Sequence, residues 1–205
     1  MLHTAAVESA TMAALNKVMK LPSLRDFVLV GGTALTLHKG HRLSIDIDLF
    51  SDKKPFNRDL VMNELSQAGK IVLKDAFDYA MFLEFDDVKL DVLKYQYDWI
   101  EKPLVESGIR IASIRDIMAM KLSAITKRGK KKDFYDIYSI LQASSLEEMF
   151  VQFKKKYSTE EIYMTIKSLI YFEDADLDAD PVMIGKQIKW QNVKEFIRKK
   201  VKEIA

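Results

Sequence analysis

The stretch "LVGGTALTLHKGHRLSIDIDLF", Leu29 to Phe50, carries the residues best suited to chemistry. Asp46 and Asp48 stand two positions apart in an apolar run, and residues i and i+2 of an extended chain project to one face. Unpaired carboxylates brought together in a partly dry site are costly, so the pair calls for a cation. A third carboxylate, Asp91, interrupts the apolar run "VKLDVLKYQ" between Leu90 and Val92. Such oxygens suit Mg²⁺, a hard ion that usually keeps phosphate oxygens in its shell. Gly31 and Gly32 precede a helix-like segment, where backbone N–H groups can approach a phosphate chain at the positive end of the helix dipole. Together these parts suit an in-line displacement at phosphorus assisted by two metals, one activating the attacking hydroxyl and one stabilising the leaving phosphate. Asp-x-Asp and Gly-Gly are each common as edge-strand or turn features, so the weight falls on their order and spacing.

The elements that must hold these residues follow from apolar periodicity. Residues 4–20 carry helical spacing stopped by Pro22, and "FVLV" (Phe27–Val30) reads as a strand broken by Gly31-Gly32. "TALTLHKG" continues as a short helix ending at Gly40, and "LSIDIDLF" alternates Ile45, Ile47 and Leu49 with Ser44, Asp46 and Asp48. "SDKKPFN" is turn-like, and Arg58 to Ala68 has helical spacing. Three strands follow, "KIVLKDAF", "YAMFLEF" and "VKLDVLKYQ", the last two joined by a hairpin turn at Asp86 and Asp87. From Ser113, an expected N-cap, the pattern turns helical, with Gly129 as an interruption and Ser145, Thr159 and Asn192 as further cap candidates. "FEDADLDAD" (Phe172–Asp180) lacks the glycine and closing glutamate of an EF-hand and reads as an exposed linker. The chain therefore divides into an α/β catalytic part, 1–112, and a helical part, 113–205, giving an α+β fold.

Composition narrows the function classes. With 205 residues, 48% hydrophobic and 30% charged, the chain can bury a full core. Zero cysteines exclude disulfides, thiolate metal sites and a cysteine nucleophile, and fit a reducing compartment. The N-terminal segment reads as a helix, not a signal peptide, and no run approaches the roughly 18 apolar residues of a membrane span. The expected location is the cytoplasm. The net charge of +2 is uneven: residues 1–112 hold 14 Lys+Arg against 16 Asp+Glu, and residues 113–205 hold 18 against 14. That excess of +4 suits a polyanionic partner, although solvated helix faces give the same count.

"VGGTAL...GHRLSIDIDLF" resembles the first motif of the AbiEii/AbiGii toxin branch of the DNA polymerase β-like nucleotidyltransferases, and "AMKLSAITKRGKKKDFYDIYSIL" resembles its helical signature. "SLIYFEDAD" is similar to the family's C-terminal portion, so the likeness runs from about Val28 to Asp176. The resemblance implies a polymerase β-like lobe with a mixed sheet and a C-terminal helical lobe. It implies transfer of a nucleoside monophosphate from an NTP to an acceptor hydroxyl, with RNA or tRNA as acceptor, in a type IV toxin–antitoxin or abortive-infection system with a cognate antitoxin. Gly31, Gly32 and Thr33 would cradle the triphosphate. Asp46 and Asp48 would coordinate two Mg²⁺ ions, with Asp91 as third ligand or as base. Lys121 and Arg42 would reach nucleotide phosphates; Lys121, Asp133 and Asp136 match the helical signature as catalytic residues, with Asp133 orienting a lysine or closing the site.

Alternatives stand beside these roles. Lys127, Arg128 and Lys130 to Lys132 read either as a solvated helix end or as a contact to RNA or nucleotide phosphate. Asp136 could pair with a neighbouring lysine, and His38 and His41, without a third ligand, read as ordinary hydrogen-bonding residues. The rival function is a metal-dependent nucleotide- or RNA-binding module without turnover.

Overall fold

The computed structural model describes residues 1–51, 53 and 55–204, so two positions of the turn-like segment, Asp52 and Lys54, lie outside the described residues. The chain forms two compact units. The first comprises Met1–Gly40 and Ser44–Ser113, and the second His41–Leu43 and Ile114–Ala205.

Among the described residues, the first unit is a seven-stranded mixed sheet with three α-helices: α1 (Ser9–Val18), β1 (Phe27–Val30), α2 (Gly31–Lys39), β2 (Ile47–Ser51), α3 (Arg58–Ala68), β3 (Ile71–Phe77), β4 (Ala80–Phe85), β5 (Val88–Lys94), β6 (Leu104–Glu106) and β7 (Ile109–Ile111). The strand order is β3-β4-β5-β2-β1-β7-β6. The pairs β2–β5 and β1–β7 are parallel and the other neighbours antiparallel. β1 sits inside the sheet and reads as a continuous apolar run because all four of its residues are buried. β2 alternates instead, with Ile47 and Leu49 fully buried and Asp48 and Phe50 half-buried on the opposite face. On the adjoining β5, Leu90 and Val92 continue the fully buried face. The β4–β5 hairpin turns at Asp86 (φ 50°) and Asp87 (φ 64°), the paired left-handed geometry of a type I′ turn, which aspartate tolerates. Asn57 caps α3 by accepting from Leu60 N at 3.0 Å.

In the first unit, β6 and β7 are not anticipated by the sequence reading, and two further elements are displaced from it. The first helix begins at Ser9: residues Thr4–Ala6 form a 3₁₀ turn, and the chain then runs extended so that Val7 bridges Ser44. The second difference is the start of β2 at Ile47, four residues later than the alternation suggested. Ile45 is 52% exposed because Ser44 is paired with Val7 and Ile45 O accepts from Thr11 Oγ1, which bends the segment away from the sheet.

The second unit is helical: α4 (Ile114–Lys127), α5 (Lys131–Ile140), α6 (Leu146–Tyr157), α7 (Tyr163–Ile170), α8 (Glu173–Asp176) and α9 (Trp190–Ile204). Gly129, at φ 50°, separates α4 from α5, and Ser145 caps α6 through Glu148 N. α9 buries Val193, Ile197 and Val201, one per turn, each worth about 1.5–3 kcal/mol when fully buried. Thr159 does not cap α7; its hydroxyl accepts from Glu161 N and the helix starts at Tyr163, while Asn192 lies within α9. The segment 172–180 is not a free linker. Phe172 and Ala175 are buried, Asp176 accepts from Trp190 Nε1 and Lys194 Nζ, and Asp178 accepts from Lys131 N.

Candidate active site

β1 delivers the chain to Gly31, which opens α2 at φ 71°, a left-handed conformation that glycine adopts without a Cβ penalty. A second constraint acts at the same position. A Cβ on Gly31 would lie 2.2 Å from Asp48 Oδ2, so the carboxylate of β2 rests directly against the backbone of the turn. This contact follows from register, since Val30 pairs with Asp48 across β1–β2. Across β2–β5, Asp48 in turn pairs with Asp91. Residues paired in a ladder share a face, so the two carboxylates stand side by side.

Asp91 is nearly buried and its two oxygens differ. Oδ2 accepts from Lys89 Nζ at 2.6 Å, while Oδ1 is buried without a hydrogen-bond partner. A buried orphan carboxylate oxygen beside a second carboxylate suits a cation, and the all-oxygen donor set of Asp46, Asp48 and Asp91 suits Mg²⁺. Among the described residues no three His, Asp or Glu side chains close on a metal-sized space. Lys89 supplies positive charge at Asp91 instead. Burial pulls its ammonium pKa down, but the hydrogen bond and charge of Asp91, with the charges of Asp48 and Asp46, outweigh burial and hold it above the ordinary value.

Thr33 is buried in α2, and its hydroxyl bonds the backbone carbonyl of Asp46 and lies 2.8 Å from Ser44 Oγ. Its side chain thus ties the approach to β2 onto the helix that Gly31 opens.

The second unit contains the other predicted residues in a buried charge cluster. Arg42 grips Asp136 with two donors, Nε to Oδ1 at 2.7 Å and NH2 to Oδ2 at 3.0 Å. Lys121 Nζ lies 2.5 Å from Asp136 Oδ2 and 2.8 Å from Asp133 Oδ1, and Arg128 closes on Asp133 at 3.0 Å. Both aspartates are fully buried. Burial alone would raise the Asp136 pKa, but Arg42 and Lys121, with a hydrogen bond from His41, hold it well below the usual carboxylate range. Asp133 is lowered in the same way by Lys121 and Arg128 against burial. Lys121 itself is pulled down by burial and held above its ordinary value by Asp136 and Asp133.

His41 Nε2 lies 2.7 Å from Asp136 Oδ1, and its Nδ1 is buried without a partner. Protonating that nitrogen would bury an unsatisfied N–H, in keeping with a pKa lowered by burial against the pull of Asp136. His38 bonds Ala112 O at 2.8 Å. Of the basic run 127–132, Arg128 and Lys130 pair with Asp133 and Asp178 while remaining exposed, whereas Lys131 is buried and bonded to Asp178, so the solvated-end reading fails for Lys131. Sequence reasoning passed over Lys89, although its spacing of two residues from Asp91 on a strand placed both on one face.

The description "Nucleotidyl transferase AbiEii toxin, Type IV TA system" matches residues 14–203. The uncharacterized protein aq_aa25 of Aquifex aeolicus is 38% identical over 196 residues, covering 93% of each chain. Among solved structures, JHP933 from Helicobacter pylori superposes with a TM-score of 0.53 at 21% identity, covering 95% of this chain and 91% of that one. The nucleotidyltransferase toxin MenT4 from Mycobacterium tuberculosis gives 0.57 at 11% identity, covering 95% and 84%. These two likenesses carry the fold, a mixed sheet with a helical C-terminal part. The match over 190 residues carries more: the chain belongs to the AbiEii family of nucleotidyltransferase toxins of type IV toxin–antitoxin systems.

Proposed function

We propose that this nucleotidyltransferase moves a nucleoside monophosphate from an NTP to a hydroxyl of an RNA, releasing pyrophosphate, with Asp46, Asp48 and Asp91 holding two Mg²⁺ ions. The observation that supports this reading above others is the Asp48–Asp91 register pair, lying against the Gly31 turn with one buried Asp91 oxygen unpartnered. When bound, the metal would polarise the attacking hydroxyl and neutralise charge on the leaving phosphate. The chain's own contribution is positional. The backbone N–H groups of Gly31, Gly32 and Thr33, at the start of α2, would receive the triphosphate beside the Asp48 carboxylate that lies against Gly31, aided by the helix dipole. The Thr33 hydroxyl fixes the carbonyl of Asp46 and so the approach of that carboxylate. In the second unit we read Arg42, Lys121, Asp133 and Asp136 as the charge-balanced cluster on which nucleotide binding depends. Arg42 and Lys121 are the phosphate-facing candidates, although each is engaged with Asp136 in this structure. The family's type IV pairing supports a cognate antitoxin as protein partner.

The test is transfer of label from an α-³²P NTP to total RNA in Mg²⁺. Asp48→Asn and Asp91→Asn are expected to lose at least about a hundredfold in rate while keeping the wild-type melting temperature to within a few degrees, as for removal of a group acting in the transition state. Undiminished labelling by both variants sinks the assignment of these carboxylates.

A further inference from the structure

Lys89 lies on the carboxylate face and has no part in the proposed reaction. It sits on β5 two residues before Asp91, on the same strand face, with Nζ 2.6 Å from Asp91 Oδ2. The Asp91 side chain is 13% exposed whereas that of Lys89 is 54% exposed, so the ammonium reaches from the solvent side into a nearly closed carboxylate. Asp48 stands beside Asp91 in the ladder, and Asp46 precedes it by two residues.

We propose that Lys89 is a tethered counter-cation, neutralising the carboxylate face in the metal-free enzyme, and that a divalent cation enters by displacing it. This inference rests on the reading of Asp46, Asp48 and Asp91 as the metal-holding set. A lysine suits the task because its compact charge rides on a flexible four-carbon stem. The half-exposed head can swing into water without any change in β5, which frees Asp91 Oδ2 for an incoming ion, while the buried Oδ1 has no hydrogen-bond partner that would compete with the ion. The charges of Asp46 and Asp48 already act on this ammonium. Competition of this kind raises the metal concentration at which the site fills, and it spares the unloaded sheet the repulsion between its own carboxylates.

The experiment measures Mn²⁺ binding to the intact chain without nucleotide, by calorimetry and by the loss of the free-ion electron paramagnetic resonance signal. Wild type is compared with Lys89→Gln, Lys89→Arg and Asp91→Asn. Lys89→Gln is expected to bind Mn²⁺ about tenfold more tightly and to show a larger Mn²⁺-induced rise in melting temperature. Lys89→Arg, which keeps the charge, should bind no more tightly than wild type. Wild-type affinity in Lys89→Gln, with binding abolished by Asp91→Asn, overturns the counter-cation role and leaves the metal-holding set intact. Unchanged binding in Asp91→Asn overturns both. Should Lys89→Gln be too unstable to titrate, recovery of its fold by Mn²⁺ supports the role, and failure of Mn²⁺ to raise its melting temperature beyond the wild-type rise counts against it.

Discussion

Replacing Gly31 by alanine puts a methyl group where Asp48 Oδ2 now lies. The added Cβ would sit 2.2 Å from that oxygen, and ordinary contact begins near 3.4 Å, so the carboxylate has to retreat by about 1.2 Å. Misplacing a reacting group by about 1 Å costs roughly a hundredfold in rate. The substitution also forces alanine to φ 71°, a strain of about 1–2 kcal/mol that lowers the melting temperature by roughly 2–8 °C. Gly108→Ala separates the two effects: that glycine has φ 80° with nothing within 4 Å of the added Cβ. Both variants should therefore lose similar stability, while Gly31→Ala alone loses about two orders of magnitude in label transfer from NTP to acceptor. Equal activity in the two variants, measured below their melting temperatures, would refute the claim that the Gly31 turn fixes the position of Asp48.

Asp136→Ala strips Arg42 and Lys121 of a fully buried partner and should cost about 3–5 kcal/mol in urea denaturation, and a loss below 1 kcal/mol would mean that the cluster is not a stabilising element. Lys156→Met removes the ammonium 2.6 Å from the wholly buried Asp116 and should cost a similar ~3–5 kcal/mol, read from the same unfolding curves. Stability should also fall on acidification. The folded pKa values of His41 and His38 are lowered, so the stability they contribute is complete above about pH 6.5 and is lost as pH falls toward their folded values. Asp133 and Asp136, also lowered, add a further loss below about pH 4. A urea midpoint that stays constant from pH 7 to pH 5 would contradict the neutral, buried state of the two histidines.

Part of the carboxylate face was legible because a strand's two-residue period is strict. Asp48, the break at Gly31-Gly32 and the strand around Asp91 appear where local pattern alone locates them, whereas Asp46 lies just before β2; the Asp86-Asp87 turn likewise depends only on local backbone chemistry. Pairing partners were not legible. That Val7 would bridge Ser44, expelling Ile45 from the strand, depends on a contact 37 residues away in sequence. The same limit applies to charge. Arg128 and Lys131 look like solvated cations in a sequence, and only tertiary placement matches them to Asp133 and Asp178. The acidic run 172–180 misled for the same reason, its carboxylates being spent on Trp190, Lys194 and Lys131.

The assignment of His41–Leu43 to the helical unit makes that unit discontinuous in the chain, with all of β2 through β7 inserted between its two pieces. A cut at residue 113, where the sequence changes character, would therefore strand Asp136 and Lys121 in a fragment lacking both His41 and Arg42. Any effort to dissect the protein, to fuse its halves to reporters or to permute its termini must carry this tripeptide with the helices. The cleaner permutation site lies in the β4–β5 hairpin, whose turn residues Asp86 and Asp87 are replaceable by a Gly-rich linker provided that the ties of Asp86 to Lys17 and Lys70 can be forgone.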